Sequence, residues 1–289
     1  MVRAAITQMA PIQPEASILE LRNTVWLRPV VVTEPKQVSI ALVADDNDQV
    51  SYEIYSVENA QETIHCQGKA AFSRHSTPAR LDVEQLKGQM EQIEMEASSV
   101  YAMLATIGLN YGPAHQGIVA IYLGEKQVLA QLHLPAILEA SQHDYVLHPS
   151  LVDSALQASI GLIVDVNHVP SKPIVPFALD SLRILSACTK EMFAWVRYSR
   201  GSKPEDKNVK LDIDLCDQQG NICVQMHGFV SRELQGGAKP AHEEAIHSSA
   251  HDQSGAIEGI PSFDNAFYQK LIADVANRAV TVDDAAELA

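Results

Sequence analysis

The sequence predicts an α+β fold of two similar units, each combining a helix with an antiparallel strand meander. Segments of alternating apolar and polar residues, typical of half-buried strands, occur in both halves of the 289-residue chain. The second half gives two strands, a helix and a further meander, whereas the first half gives a helix followed directly by strands. This repeated order indicates two copies of one packed unit, the first without its opening strands.

The first half starts in what we interpret as the tail of a helix, residues 2–9, which is short and mostly apolar and ends before Pro11. β-Branched and aromatic residues then predict strands. We expect them at 24–27 continuing into 29–32, at 37–43, at 50–57 and at 63–70, with a turn at 45–48.

A helix is predicted over 83–107, because apolar residues recur there three or four positions apart and Gly108 follows them. A second, mostly apolar helix is expected from Ser150 to about Val164. Further strands are predicted at 118–123, 127–132, 181–185, 192–198, 209–216 and 221–229.

We expect the first unit at 1–95 and the second at 96–234. Residues 235–262 contain Gly, Pro, Ser, His and Glu with almost no apolar periodicity, which predicts a flexible linker. Residues 263–289 return to a helical pattern, with Thr281 as a candidate N-cap. Two interpretations of this last segment stay open, a solvated tail or a docking element for a neighbouring domain or chain.

Composition excludes some functions but names none, because 46% apolar and 20% charged residues are ordinary for a globular protein. A net charge of −15 argues against nucleic acid as a partner, since phosphates need a positive surface. An acidic protein partner would need a local basic patch. No apolar run approaches the ~20 residues of a membrane span, and the first residues lack an apolar signal core. We therefore expect a cytoplasmic protein.

The four cysteines, Cys66, Cys188, Cys216 and Cys223, form no CxxC pair and no zinc-ligand spacing with histidine. We interpret them as small buried apolar residues of a reducing compartment. The sequence also shows no Gly-rich nucleotide loop, metal-ligand cluster or nucleophile elbow, so we expect neither a metal nor a bound cofactor.

Four segments carry a resemblance to a known family. Segment 109–117 contains Tyr111-Gly112-Pro113-Ala114-His115-Gln116-Gly117, and segment 147–157 contains His148-Pro149 followed by Asp153 and Gln157. They resemble the Tyr-Gly-Pro-x-Phe-Gln-Gly and His-Pro-x-Leu-x-Asp-x-x-x-Gln motifs of dehydratase domains from modular polyketide synthases, and segments 21–29 and 175–183 support the likeness. The resemblance covers residues 1 to about 234. It implies a double hotdog fold, with antiparallel sheets wrapped round long helices and the first hotdog incomplete.

Two departures from the family pattern concern histidines. The family carries its catalytic histidine in a His-x-x-x-Gly-x-x-x-x-Pro motif before the first hotdog helix, and this motif is absent here. We expect the full domain to begin upstream of Met1. Position 115 is His where the family usually has Phe, which changes the expected pocket wall. Five other histidines are His65, His75, His242, His247 and His251. None is followed by the Gly and Pro of the motif, so we expect none of them to replace the catalytic histidine.

The resemblance implies that the protein removes water from a β-hydroxyacyl thioester, which requires two proton transfers. It assigns removal of the α-proton to the absent histidine and activation of the β-hydroxyl to Asp153. A carboxyl can donate a proton near neutral pH only if its pKa is raised, and apolar surroundings raise it because they disfavour the charged form. The sequence neighbours of Asp153 are mostly apolar. Gln157 lies one helical turn further on the same face, where it can hold the carboxyl or the hydroxyl. The alternative is that Asp153 caps a turn and Gln157 faces solvent.

Both motifs also supply candidate substrate-binding residues. The resemblance implies that the Tyr111 hydroxyl lies near the substrate, and Gly112 before Pro113 would let a backbone N–H approach the thioester oxygen. A plain turn before a strand is the alternative. His148 and Pro149 belong to the Asp153 motif, so we interpret His148 as a positioning residue rather than the base.

Three functions follow from these observations. The leading one is a dehydratase of polyketide antibiotic biosynthesis, whose substrate arrives on the phosphopantetheine arm of an acyl carrier protein. Neighbouring synthase domains and a second copy of the chain are further candidate partners. A double-bond isomerase or oxygen-ring cyclase on the same fold is the second, although such relatives tend to lose the helix Asp that is present here as Asp153. A catalytically silent scaffold is the third, favoured by the absence of the histidine motif if Met1 is the natural start.

Overall fold

The computed structural model describes residues 1–9, 17–44, 49–74, 80–90, 94–163, 172–206 and 208–234. Residues 1–233 form one compact unit. The predicted linker at 235–262 and the helical segment at 263–289, with its two interpretations, lie outside the described residues.

Eleven strands of the described residues form a single antiparallel sheet. They are β1 (Ser17–Trp26), β2 (Ser39–Ala44), β3 (Gln49–Glu58), β4 (Gln61–Arg74), β5 (Glu94–Glu96), β6 (Ile118–Gly124), β7 (Gln127–His133), β8 (Ile174–Ile184), β9 (Glu191–Tyr198), β10 (Leu211–Asp217) and β11 (Ile222–Glu233). Their order across the sheet is β2-β3-β4-β1-β8-β11-β10-β9-β7-β6-β5. The strands of the two halves therefore stay grouped, and the groups join where β1 pairs with β8.

The helices of the described residues pack against this sheet. They are α1 (Val2–Met9), α2 (Val83–Gln89), α3 (Ala97–Thr106), α4 (Pro149–Gln157) and α5 (Ile160–Ile163), with 3-10 helices at Pro113–His115 and Ala136–Asp144. α1 buries Val2 and Ile6 in a core formed with the first group of strands. α4 packs against β7, β9 and β10 of the second group. Each half thus places a helix on its own part of the sheet, in agreement with the predicted α+β fold of two units.

The strand predicted at 29–32 is wrong. Residues 27–38 form no strand, and Val30, Val31 and Val32 are exposed. Pro29 has no amide hydrogen to donate to a ladder, and the valines that follow have no facing layer to bury them. β1 instead begins at Ser17, earlier than predicted, because β4 and β8 pair with its two edges and support it.

The single helix predicted over 83–107 is also wrong. α2 and α3 occupy its ends, and the segment Glu94–Glu96 between them is strand β5, which pairs with β6. Half-buried Met95 between two exposed glutamates has the alternation of an edge strand, which competes locally with the helical spacing. The predicted stop is correct, because Gly108 takes a φ of 83°, the left-handed conformation that glycine favours just after a helix.

The helix predicted from Ser150 to Val164 is interrupted. α4 ends at Gln157, and the short α5 begins at Ile160. At the break the Ser159 hydroxyl donates to the Leu156 carbonyl at 2.6 Å, a local bond that competes with continuation of the helix.

All four cysteines are free and buried, as predicted. Burial raises the pKa of the thiols of Cys66, Cys188 and Cys216 to about 12, so these groups stay protonated and unreactive at neutral pH. Within the described ranges no three His, Cys, Asp or Glu side chains are placed to hold a metal ion. No helix in the same ranges is both long and apolar enough to span a membrane.

Candidate active site

Helix α4 carries Asp153 and Gln157, the two residues that the sequence predicts to be catalytic. Its first turn is fixed by His148, whose Nδ1 accepts a hydrogen bond from the Ser150 amide at 3.3 Å. Pro149 follows at the first helical position, where an amide hydrogen would have no partner within the helix. His148 and Pro149 thus fix where the helix begins. Asp153 and Gln157, four residues apart further along it, lie one turn apart on the same side.

Asp153 and Gln157 are hydrogen-bonded to each other. Gln157 Nε2 donates to Asp153 Oδ2 at 2.8 Å and to the backbone carbonyl of His115 at 3.0 Å. Gln157 is only 4% exposed, whereas the Asp153 side chain is 32% exposed. These positions exclude the alternative of a turn-capping Asp153 and a solvent-facing Gln157. The carboxyl is held by a buried amide while part of it stays accessible.

His115 is the second side chain on the Asp153 carboxyl. Its Nδ1 lies 3.1 Å from Asp153 Oδ2, the same oxygen that accepts from Gln157. His115 ends the 3-10 helix Pro113–His115, and its side chain is 46% exposed. Sequence alone predicts a changed pocket wall at position 115 and not a contact with Asp153. The available signal was its departure from the family's Phe within a motif that is otherwise kept.

Close packing fixes the segment between α3 and β6 against α4. A Cβ on Gly117 would come within 2.6 Å of the Ser154 hydroxyl and 3.0 Å of the His133 carbonyl oxygen, so only glycine fits there. The Gly117 carbonyl also accepts a hydrogen bond from the His133 amide at 2.8 Å. Beside it, the Tyr101 hydroxyl oxygen accepts from the Ile118 amide at 3.0 Å. These contacts hold the backbone of the segment in register with the helix that carries Asp153.

A cavity of about 50 Å³ opens beside the Asp153 carboxyl. Most of its wall is apolar and comes from Leu104, Ile107, Leu109, Leu156, Ile160, Ile174, Pro176 and Phe229. The polar part of the wall comes from Tyr111, Asp153, Gln157, Ser159 and Ser231. Gln157 Oε1 is buried and accepts no hydrogen bond from any described residue. The cavity therefore combines a mostly apolar wall with a partly accessible carboxyl.

Tyr111 lines this cavity and packs edge-on against Tyr101, with ring centroids 6.3 Å apart. Burial raises the pKa of the Tyr111 hydroxyl, and the nearby Asp153 carboxyl and Tyr101 raise it further. The hydroxyl therefore stays protonated at neutral pH and can donate a hydrogen bond. Its contact with substrate stays a prediction.

Gly112 and Pro113 begin the 3-10 helix and do not line the described cavity. Gly112 has a φ of −74°, and a Cβ on it would meet nothing within 4 Å. Neither backbone conformation nor space thus explains a glycine at this position. The predicted approach of its N–H to a thioester stays a prediction.

His148 and Pro149 also lie away from the lining of the described cavity. His148 is 3% exposed, and its Nε2 lies 3.3 Å from the Ser141 hydroxyl. Burial lowers the pKa of His148, and the nearby His115 lowers it further. A neutral imidazole that accepts from the helix amide fits the positioning role inferred from the sequence.

His65, one of the histidines considered as a substitute base, has both ring nitrogens engaged. Its Nε2 lies 2.8 Å from the Ser56 hydroxyl and its Nδ1 3.2 Å from the Arg28 carbonyl oxygen. It is 5% exposed and lies on β4, in the first half of the sheet. The other four, His75, His242, His247 and His251, lie outside the described residues.

Comparisons with known proteins give the same family from sequence and from structure. The family model for the polyketide synthase dehydratase N-terminal domain matches residues 78–241. Polyketide synthase PksM of Bacillus subtilis (strain 168) is 38% identical over 229 residues, 77% of this chain and 5% of PksM. The crystal structure of a trans-AT polyketide synthase dehydratase domain from Brevibacillus brevis is 39% identical, with a TM-score of 0.74 over 81% of this chain and 82% of that one. An inactive mutant of the CurK dehydratase, with a histidine replaced by phenylalanine, is 25% identical, with a TM-score of 0.71 over 81% of both chains.

The fold and the site together define a double hotdog protein with a carboxyl and an amide on the helix of its second half. The chain belongs to the dehydratase family of polyketide synthases. It spans 5% of the length of PksM, so most of that relative lies outside the matched region.

Proposed function

We propose that the chain works as the dehydratase domain of a larger synthase and converts a β-hydroxyacyl thioester into an α,β-unsaturated thioester. The observation that carries this proposal is the Asp153 carboxyl, held by buried Gln157 at an apolar cavity. An acyl chain is apolar and its β-hydroxyl is the one polar group that must be activated. The described wall offers matching groups for both.

The reaction needs an acid at the β-oxygen and a base at the α-carbon. Asp153 gives its proton to the hydroxyl, the Cβ–O bond breaks, and water leaves. The electrons of the α-C–H bond form the new double bond, and the α-proton passes to a histidine base. The family carries this base in a motif that the printed sequence does not contain. The inactivity of the histidine-to-phenylalanine mutant of the CurK dehydratase supports a requirement for histidine in that relative.

Two further groups of the wall suit the same substrate. Gln157 Nε2, which donates to Asp153 Oδ2, would keep the carboxyl oriented for transfer of its proton to the β-hydroxyl. The protonated hydroxyl of Tyr111 can donate to an oxygen of the substrate. Together they would hold the carboxyl and the acyl group in place while the proton is transferred.

We also propose that the substrate arrives on the phosphopantetheine arm of an acyl carrier protein, and that the reaction takes place in the cytoplasm. The proposed proton transfers use side chains alone and need no cofactor resident on this chain. The net charge of −15 means that an acidic carrier would have to approach a local basic patch. Neighbouring synthase domains and a second copy of the chain are the further partners that we propose.

Mass spectrometry of a β-hydroxyacyl carrier protein separates dehydration from the alternatives. The synthase polypeptide that carries this chain is incubated with the loaded carrier, and the acyl group is weighed over time. We expect loss of one water. A double-bond isomerase, a ring-closing enzyme that needs an unsaturated substrate, or a silent scaffold would leave the mass of the β-hydroxyacyl group unchanged, and that result would contradict the proposal.

A further inference from the structure

The environment of the Asp153 carboxyl is asymmetric. Oδ2 has two neighbours, Gln157 Nε2 at 2.8 Å and His115 Nδ1 at 3.1 Å. Gln157 is a certain donor through its amide nitrogen, whereas an imidazole nitrogen donates or accepts according to its tautomer. The His115 ring thus decides whether Oδ2 is held by one donor or by two.

We propose that His115 is a positioning residue for the acid, with its Nδ1–H donating to Asp153 Oδ2. Two donors on Oδ2 leave no room for a proton on that oxygen. The acidic proton of Asp153 is therefore carried by Oδ1, the oxygen that neither donor contacts. This inference rests on the proposed dehydration, because it concerns which oxygen gives its proton to the departing hydroxyl.

The backbone around His115 is built to keep this geometry. Gln157 Nε2 bonds to the His115 carbonyl as well as to Asp153 Oδ2, so one buried amide joins the 3-10 helix to α4. The His115 amide donates to the Gly112 carbonyl at 2.9 Å. Two residues later, Gly117 sits against the Ser154 hydroxyl at a distance that admits no side chain. The backbone of His115 is therefore fixed on both sides, and from it the ring reaches the Asp153 carboxyl.

The carboxylate left after proton transfer benefits from the same two donors. Hydrogen bonds to a charged oxygen are stronger than those to a neutral one, so His115 and Gln157 stabilise Asp153 more as the proton leaves. Removing the His115 donor should therefore affect the chemical step more than substrate binding. Its loss is expected to lower kcat by about ten- to hundred-fold, the usual effect of one hydrogen bond to a charged group.

The test compares His115→Phe with His115→Asn in the synthase polypeptide, following loss of water from the loaded carrier protein. Phe keeps a ring of similar size without a donor, whereas the amide nitrogen of Asn lies close to the position of Nδ1 and donates. We expect His115→Phe to lower kcat by about ten- to hundred-fold with little change in KM and melting temperature, and His115→Asn to restore most of the rate. His143→Phe, at an exposed position of the 3-10 helix Ala136–Asp144, is the matched control and should keep full activity.

Equal rates in wild type and His115→Phe would overturn the inference, as would equal loss in the Phe and Asn variants. Asp153→Asn, assayed in parallel, separates this failure from a failure of the proposed function. An Asp153→Asn variant of unchanged rate contradicts the role of Asp153 itself. A slow Asp153→Asn variant beside a fully active His115→Phe variant contradicts only the role of His115.

Discussion

At the scale of single residues, His227 and Asp212 form an ion pair on neighbouring strands β11 and β10, with Nδ1 and Oδ2 3.6 Å apart. Burial would raise the pKa of Asp212, but the contact with His227 and hydrogen bonds from the Ser199 hydroxyl and the Gly228 amide outweigh it and lower the pKa to about 2. The contact with Asp212 raises the pKa of His227 above its usual 6.5. Each shift stabilises the fold in a different range of pH.

This pair predicts a pH-dependent contribution of His227 to stability. A raised pKa in the folded state means that the contribution is complete below pH 6.5 and is lost as the pH rises through the raised value. The contribution of Asp212 is complete above pH 3.8 and is lost as the pH falls towards 2. The two windows overlap in mildly acidic solution, where both groups are charged.

His227→Asn should therefore lower the free energy of unfolding by about 0.5 kcal/mol in mildly acidic solution, a small value because the pair is partly exposed. At alkaline pH the difference from wild type should vanish. Urea unfolding of both proteins across this range measures it. A difference that stays constant from acidic to alkaline pH would show that the charge on His227 makes no contribution.

The residues of the site illustrate what sequence alone can predict. The four-residue spacing of Asp153 and Gln157 within a helix predicts that they share a face, and the structure joins them by a hydrogen bond. His115 is 38 positions from Asp153, so no helical or strand period connects the two. Their contact depends on how the segment after α3 packs against α4, which local patterns do not encode.

At the scale of elements, the segment between α3 and β6 positions the site by its fit against α4. Gly117→Ala should push this segment away, because the added Cβ would come within 2.6 Å of the Ser154 hydroxyl and 3.0 Å of a backbone carbonyl. We expect a loss of about 1–3 kcal/mol in the free energy of unfolding, typical of overpacking. The rate of water loss should fall as well, since Asp153 and its partners lose their register.

Gly88→Ala is the matched control, since a Cβ at position 88 in α2 would meet nothing within 4 Å. Alanine is favoured over glycine inside a helix, so this variant should be as stable as wild type or more stable. Thermal unfolding of the three proteins makes the comparison. Equal melting temperatures for Gly117→Ala and wild type would show that the segment is not clamped on α4.

Sequence patterns predict most strands and the C-terminal end of α3 before Gly108. Both signals are local, because they depend on the alternation of apolar residues or on a glycine just after a helix. They fail at 29–32 and at Glu94–Glu96. In both places the outcome depends on whether a partner strand is present, which is a tertiary property. Exposed valines at 30–32 have no partner, whereas Met95 finds one in β6.

At the scale of the whole molecule, the two halves of the sheet are joined by the hydrogen bonds between β1 and β8 and by side chains that pack against both hydrophobic cores. Leu182 on β8 pairs with Leu21 on β1 and with Met226 on β11. Leu182 and Trp26 pack against the cores of both halves. We therefore expect residues 1–233 to unfold as one cooperative unit.

Leu182→Ala should destabilise both halves together, by about 2 kcal/mol, the lower end of the range for truncating a leucine in a core. Amide hydrogen exchange should then speed up in β1 and β4 as well as in β10 and β11. Among the described residues, Leu123 packs against the core of the second half and not against that of the first, so faster exchange in β1 and β4 of Leu123→Ala as well would support unfolding as one unit. Faster exchange confined to one half in Leu182→Ala would show that the halves unfold separately.

The central claim is that Asp153 is the acid of a dehydratase. The most direct measurement is the rate of water loss from a β-hydroxyacyl carrier protein by the synthase polypeptide with Asp153→Asn, beside wild type and the exposed control Asp144→Asn. We predict a fall of about hundred-fold or more for Asp153→Asn, the usual contribution of a general acid, and none for Asp144→Asn. A wild-type rate in Asp153→Asn would contradict the claim.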